Sequence, residues 1–453
     1  MSILTDAYNP TAYQAFAKEA LEVLLQDYHN QLNGNSKVSN TIPANELLAQ
    51  WKDKTWTFSD LVQQVSHLSM HINNPRYMGH QVSAPLPIAI IMDWVAAHYN
   101  NGMAVYEMGQ ASSVADDVVI KKLATWLNLP NTTNGILTSG GTIGNLTALL
   151  AARKNATPHT NLAMLVSAEA HYSLVRSAYI MGIPKENIYY LPTNEQLQVD
   201  VTQLLHIYNK AIADGKHVFA ICANACSTST GAYDPIDAMA DFAEQQNIWF
   251  HIDGAHGGAV GLSNKYKHLT EGIEKADSIV IDFHKMLLCP ALITAVLYKN
   301  TNASFLPFEQ KAAYLLSDEP EWENMAMRTA ECTKYMMSLK AIAIMDVYGK
   351  NIFEEFITRQ HDLTLDCATI ISNASDFELA LAPQSNILCF RYIAQNSNAV
   401  NLAIRQAILE DGTFYIVKTE INREVFLRCT FMNPFTTVAH FEELLANIRK
   451  IVT

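Results

Sequence analysis

Four short segments of this chain carry residue types that could do chemistry. Thr138-Ser139-Gly140-Gly141-Thr142 lies where a short apolar run meets a helical pattern. Glycines there let a ligand reach the backbone, and the first N–H groups of a helix can hold an anion; Ser139 and Thr142 add hydroxyl donors. In His251-Ile252-Asp253-Gly254-Ala255-His256-Gly257-Gly258, Asp253 ends an apolar run and small residues follow, leaving room for a flat ligand. A carboxylate held there could pair with a protonated ring nitrogen. In Ser278-Ile279-Val280-Ile281-Asp282-Phe283-His284-Lys285-Met286, the run SIVIDF delivers His284 and Lys285 at its C-terminal end, the edge at which open α/β sheets place ligands. Burial of that lysine is expected to lower its pKa and free the amine as a nucleophile towards a carbonyl. The fourth segment, Ala168-Glu169-Ala170-His171-Tyr172-Ser173, follows the run LAMLVS, and His171 could lie flat against an aromatic ligand.

Each segment alone has a blander explanation. A glycine-rich βα turn needs no ligand, and a strand-end aspartate commonly caps the next loop. Most lysines are solvated charges, and a histidine at a helix start is more often a cap or a packing group. Convergence is what carries weight, because an anion cradle, Asp253, His171 and Lys285 all fall at strand ends of one expected sheet. These are the parts needed to hold pyridoxal 5'-phosphate: the phosphate on a helix N-terminus, Asp253 on the pyridinium, His171 stacked, and Lys285 in the Schiff base. Neither GxGxxG nor a Gly-Lys-Ser/Thr loop is present, which argues against a nucleoside triphosphate, a dinucleotide and a nicotinamide-dependent dehydrogenase.

The elements that must position these residues are legible as alternating patterns between about residues 75 and 300. Gly135–Thr138, Leu162–Ser167, IYYL, HVFAICA, IWFHID, SIVIDF and LITAVLY read as short strands, several apolar on both faces, with helical segments between many of them. Strands buried on both faces belong to a sheet covered by helices, so a mostly parallel α/β sheet is expected. Asp234-Pro235 reads as the N-cap and first position of the helix PIDAMADFAEQQN. Residues 12–33 set Tyr13, Phe16, Ala20, Leu24 and Tyr28 along one helical stripe, an arm that must pack on its own chain or on a second subunit. The expected division is an N-terminal arm over 1–74, a large domain over 75–340 and a smaller α+β domain over 341–453 containing the strands NILCFRY and EVFLRCTF.

Composition narrows the class further. The chain has 453 residues, 49% hydrophobic and 17% charged, as in a soluble globular protein. A net charge of −13 repels phosphate backbones and makes nucleic acid an unexpected partner. Seven cysteines with no CxxC pair suggest neither a disulfide framework nor a zinc site, so no metal is expected. The first residues lack a secretory pattern and no run approaches the roughly 18 apolar residues that span a bilayer. A cytoplasmic setting with no membrane partner is the expectation.

The sequence also resembles the group II pyridoxal-phosphate-dependent amino-acid decarboxylases, the family of the glutamate, diaminobutyrate and aromatic-amino-acid enzymes. The resemblance runs from about Asn74 to Thr437 through NPRYMGHQVSAPLP, TSGGTIGNLTALLAAR, SAEAHYSLVRSA, STGAYDPI, HIDGAHGGA, DSIVIDFHKM and LRCTFMNP. It implies a fold-type I α/β enzyme, a homodimer, and decarboxylation of an L-amino acid to an amine and CO2. It also implies roles: Lys285 as the Schiff-base lysine, Asp253 on the pyridine nitrogen, His171 on the ring face and Ala255 beneath it. Ser139, Gly140, Gly141 and Thr142 match the phosphate loop, with His284 and Asp282 contributing from the lysine segment and Ser227 or Thr228 supplying a hydroxyl. His80 and Gln81 fall where the family lines its substrate pocket, and Arg428 resembles the arginine that holds a substrate carboxylate in glutamate-type members.

Departures from the family pattern reshape this picture. Gly254, Phe283 and Met286 stand where the family commonly has Ala, Pro and Trp. The family also carries a loop tyrosine that protonates the substrate carbon once CO2 has left; here that place falls near Trp322 or Glu323, and no tyrosine lies between Tyr314 and Tyr335. Tyr314 reads as a packing position. Either another group such as His171 or Glu323 delivers the proton, or the outcome changes to a decarboxylation-dependent oxidation or a transamination. A reading from another class is an inactive cofactor-binding dimeric scaffold.

Overall fold

Short, β-branched runs with no polar face can be stable only between two layers, and the chain builds its main sheet from them. The computed structural model describes residues 2–308 and 321–453, so Tyr314 lies outside the described residues. The chain divides into two compact units, a larger one of Gln81–Thr364 with Leu381–Ile387, and a smaller one of Met1–His80, Leu365–Ala380 and Leu388–Thr453.

The larger unit holds a seven-stranded sheet made of β1 (Asn134–Thr138), β2 (Leu162–Ser167), β3 (Ile188–Leu191), β4 (His217–Asn224), β5 (Trp249–Asp253), β6 (Ser278–Asp282) and β7 (Thr294–Tyr298). Its order is β1-β7-β6-β5-β4-β2-β3. The neighbours from β6 through β3 pair in parallel, whereas β7 is antiparallel to both β1 and β6. Because β7 reverses twice, β1 points the same way as β6, and the C-terminal ends of β1, β4, β5 and β6 share one edge. That edge carries Ser139, Asn224, Asp253 and Asp282.

Each strand of β1, β2, β6 and β7 is buried along its whole length. The helix Gly141–Asn155 starts at the end of β1 and lays Ala148 and Ala151 on Ile136, Val280 and Val296. Small side chains on that face allow close approach, which fixes the helix start over the sheet edge. Each fully buried valine, leucine or isoleucine in such a core is worth roughly 1.5–3 kcal/mol. A buried ion pair ties in the segment after residue 320: Lys334 Nζ bonds Asp116 Oδ2, while Asp116 Oδ1 accepts from the Leu137 N–H at 3.1 Å.

Asp234 does not cap the following helix, contrary to the sequence expectation. That helix spans Ile236–Gln246 with Pro235 at its N-cap position and no side-chain cap bond. The Asp234 carboxylate instead accepts from the Asn224 N–H at 2.7 Å and the Val199 N–H at 2.9 Å, tying β4 to a loop. Burial pushes its pKa up to about 6 despite these bonds.

The smaller unit contains a four-stranded sheet of order β10-β11-β9-β8, with β8 (Phe377–Leu379), β9 (Ile387–Tyr392), β10 (Val417–Ile421) and β11 (Glu424–Thr430). β8 pairs with β9 and β10 with β11, both antiparallel. The helix Val438–Val452 buries Phe441, Leu444, Leu445 and Ile448, the i, i+3, i+4, i+7 spacing of one face. Its Phe441 ring meets Phe390 at 5.5 Å and Phe431 at 6.0 Å. The N-terminal helix spans Pro10–Leu32, and its stripe is half exposed: Tyr13 50%, Phe16 48% and Leu24 54%. Phe16 meets Phe58 at 4.8 Å, so part of the stripe packs within its own unit.

Candidate active site

Fifteen residues of helix begin at Gly141 with Gly140 as N-cap at φ +108°, a conformation that only glycine adopts without strain. Among the described residues no side chain caps this end, so its first N–H groups can hold an anion. A cavity of about 300 Å³ opens over it, lined by Ser139, Gly140, Gly141, Thr142, His171, Thr228, Asp253, Ala255, Asp282, His284 and Lys285 among others. The sheet edge therefore brings together the cofactor-site residues that the sequence singled out in the larger unit, whereas Gln81, Ser227 and Glu323 are not among the cavity-lining residues. Gln81 is buried in that unit, and its Nε2 finds no hydrogen-bond partner among the described residues. Ser227, the alternative to Thr228, is spent on structure: its hydroxyl lies 3.0 Å from Thr230 Oγ1 and accepts from the Ala232 N–H.

Asp282 organises the lysine end. Lys285 Nζ lies 2.9 Å from Asp282 Oδ2, and His284 Nε2 lies 3.6 Å from the same oxygen. The Thr294 hydroxyl donates to Asp282 Oδ1. Burial opposes the charge on Lys285, but the Asp282 carboxylate, helped by Asp253, outweighs it and raises the lysine pKa. This overturns the expectation of a lowered value, which counted burial and not the partner. On Asp282 burial acts upward, and Lys285, His284 and the Thr294 hydroxyl together bring its pKa below the ordinary carboxylate value. His284 is held on its other side, with Nδ1 2.9 Å from the Ile293 carbonyl oxygen.

At the opposite end, Asp253 Oδ1 accepts from the Ala255 N–H at 3.2 Å and Oδ2 from Asn145 Nδ2 at 3.0 Å. His171 is the N-cap of the helix Tyr172–Ile180, its Nδ1 accepting from the Ser173 N–H. It is thus both a cap and a cavity wall, and burial lowers its pKa, with opposing effects from Asp253 and Lys285. The Ser139 hydroxyl donates to Glu331, which joins the cradle to the segment 328–334. Sequence reasoning missed Asn145, Ser173, Asn224, Cys226, His256 and Leu292, all of which line the cavity. Asn145 had a signal: it stands four residues after Gly141, on the same helix face as the cradle.

These residues fit pyridoxal phosphate. An uncapped helix start with the Thr142 hydroxyl suits the phosphate, a buried carboxylate suits the pyridinium, and a lysine suits the aldehyde. The cradle also has no room to spare, since a Cβ on Gly141 would come 3.0 and 3.1 Å from the two Asp282 oxygens and 3.3 Å from the Ala255 Cβ.

His80 and Arg428 belong to the smaller unit. Arg428 is buried on β11, and its Nη2 donates to Thr430 Oγ1 at 3.4 Å. The His80 ring tilts against Tyr415 at 5.7 Å, and partial burial with the charges of Arg428 and Arg405 lowers its pKa.

A mostly parallel sheet with a lysine, a carboxylate and an uncapped helix start on one edge is the arrangement of a fold-type I pyridoxal-phosphate enzyme. Residues 49–393 match the family model described as the pyridoxal-dependent decarboxylase conserved domain, and the chain belongs to that family. It is 25% identical over 427 residues to an aromatic-L-amino-acid decarboxylase of Bacillus atrophaeus, covering 92% of this chain and 88% of that one. It is 28% identical over 379 residues to an L-2,4-diaminobutyrate decarboxylase of Rhizobium meliloti, covering 82% and 76%. The fold matches the crystal structure of mouse CSAD in apo form with a TM-score of 0.91, at 22% identity over 98% of this chain and 99% of that one. The protein is accordingly a pyridoxal-phosphate-dependent amino-acid carboxy-lyase. Neither an oxidising or transaminating outcome nor an inactive scaffold is favoured, and the dehydrogenase reading falls away.

Proposed function

We propose that Lys285 carries pyridoxal phosphate in the decarboxylation of an L-amino acid, with Asp253, His171 and the Ser139–Thr142 cradle as its principal supports. The observation that carries this reading is the lysine itself: its Nζ is held by Asp282 at 2.9 Å in the same cavity as Asp253 and the uncapped helix start. When bound, the cofactor supplies an electron sink for the charge left at Cα as CO2 departs. The chain's own residues do the rest. Asp253, fixed by two N–H donors, is oriented to hold a proton on a ring nitrogen. Gly140, Gly141 and Thr142 hold the phosphate, and Ala255 keeps the site flat. Asp282 pairs with the Lys285 amine and keeps it charged in the cofactor-free protein; the deprotonated amine would be the group that holds the cofactor's aldehyde.

Arg428 is the proposed partner of a substrate anion, because its segment LRCTFMNP resembles the one that holds a substrate carboxylate in glutamate-type members of the family; His80 and Gln81 are the proposed neighbours of the substrate side chain. A homodimer is proposed from the half-exposed apolar stripe of Pro10–Leu32. A reducing, cytoplasmic setting is proposed because the seven cysteines form no disulfide and six of them are buried. Among the described residues, no helix is long and apolar enough to cross a membrane.

Purified protein supplied with the cofactor and a panel of acidic, diamino and aromatic L-amino acids tests the reading. Equal yields of CO2 and amine from one class support it. Aldehyde with peroxide in place of amine would point instead to an oxidative outcome, and no CO2 from any substrate would reject it.

A further inference from the structure

We propose that a one-way chain of hydrogen bonds beneath the cavity, running from the Trp249 indole to the His171 ring, locks His171 as its Nε2–H tautomer, and that Asn145 is the positioning residue through which this ring is tied to Asp253.

Donor-only and acceptor-only groups at fixed points set the direction of the whole chain. An ionised carboxylate only accepts, so the atom of Asn145 facing Asp253 Oδ2 at 3.0 Å is its amide nitrogen. The Asn145 oxygen must then face His251 Nε2, 3.0 Å away, and that nitrogen carries the proton. His251 is fully buried, and burial holds its pKa down to about 4 even with Asp253 nearby, so the ring is neutral and its Nδ1 is an acceptor. The Ser278 hydroxyl, 2.9 Å away, supplies that proton while accepting from Trp249 Nε1, itself a pure donor, at 2.8 Å.

The second proton on the Asn145 amide goes to Ser173 Oγ at 2.9 Å. Ser173 is left to donate to His171 Nδ1 at 2.8 Å, where its own backbone N–H also points at 3.3 Å. A backbone N–H cannot accept, so His171 Nδ1 is a lone pair, and burial together with Lys285 and Arg176 outweighs Asp253 and Asp282 to keep the ring neutral. The proton of that ring therefore sits on Nε2. Asn145, Ser173, His251 and Ser278 are each no more than 1% exposed, so water cannot replace any of these partners.

The consequence rests on the cofactor-site reading, although the tautomer does not. A neutral ring that presents Nε2–H to the cavity is a hydrogen-bond donor for an acceptor such as a ligand carboxylate. It has no free lone pair with which to act as a base, and giving up its proton would leave an unfavourable anion. His171 is thereby an orienting donor and not the group that supplies the missing tyrosine's proton.

The experiment uses cofactor-free full-length protein labelled with 15N-histidine, in which two-bond proton–nitrogen spectra near neutral pH report which ring nitrogen is protonated. His171→Gln and His251→Gln identify the two spin systems. The expected result is both rings neutral with the proton on Nε2, the other tautomer being under a tenth of the population. Asn145→Asp leaves the Ser173 hydroxyl a better acceptor than His171, and Ser173→Ala removes that hydroxyl. Each should raise the minor tautomer of His171 several-fold, and Ser173→Thr should restore the original ratio. A wild-type His171 protonated on Nδ1, an even mixture, or ratios unmoved by both variants would overturn the proposal. Because no cofactor is present, such a failure would leave the reading of Lys285 standing.

Discussion

Replacing Asp282 with asparagine isolates the contact that sets the state of Lys285. The carboxylate lies 2.9 Å from the lysine nitrogen. At an effective permittivity of about 20, that separation corresponds to an attraction of roughly 6 kcal/mol, an upper bound on what favours the charged lysine. The lysine side chain is 20% exposed and Asp253 still favours its charge, so the realised shift is smaller. In Asp282→Asn, burial becomes the dominant influence and the Lys285 pKa should fall. Competitive acetylation of cofactor-free protein across a pH series, read by mass spectrometry on the Lys285 peptide, measures it directly. A variant whose midpoint stays within about half a unit of wild type would refute the reasoning. Stability gives a second reading of the same pair. Asp282 has a lowered pKa, so its contribution is present above the unfolded carboxylate value and lost as pH falls through the folded one; for Lys285, whose pKa is raised, it is full below the unfolded lysine value and lost as pH rises through the folded one. Asp282→Asn should flatten the acid limb of the wild-type stability curve.

Further expectations concern neighbouring groups. Asp253→Ala should weaken cofactor binding, seen as a raised Kd in absorbance titration, and cut kcat by about 10²- to 10³-fold or more, since an aimed charge is lost. Gly141→Ala should push the Asp282 carboxylate aside, costing about 1–3 kcal/mol in urea unfolding and lowering cofactor occupancy. Lys334→Met strands the Asp116 carboxylate, both side chains being essentially unexposed, and should cost about 3–5 kcal/mol in the same assay. Adding Asp116→Asn to Lys334→Met should recover part of that loss.

Much of the larger unit was legible because strands buried on both faces leave an unmistakable run of apolar residues. SIVIDF and LAMLVS became β6 and β2 for that reason, and residues immediately after such runs had to lie at one sheet edge. Asp253, Lys285 and the Ser139–Thr142 turn could therefore be placed from spacing alone. What spacing cannot carry is a partner distant in the chain. The sign of the Lys285 shift depends on a 2.9 Å contact with Asp282, and burial alone gave the wrong direction. Asp234 looked like a helix cap because the residue after it is proline, yet backbone N–H groups of Val199 and Asn224 claim its carboxylate. The pairing of Lys334 with Asp116 joins residues 218 positions apart and left no local trace. Asn145 was readable in principle, since a helix brings residue i+4 back over the cradle, but its partner Asp253 is set by the order of the strands.

The account stands or falls on the amine at position 285. Purified protein should bind pyridoxal phosphate with a visible absorbance band that borohydride abolishes, leaving one reduced adduct on the peptide that contains Lys285. An adduct on a different lysine, or protein that stays colourless and unlabelled when saturated with the cofactor, would contradict it.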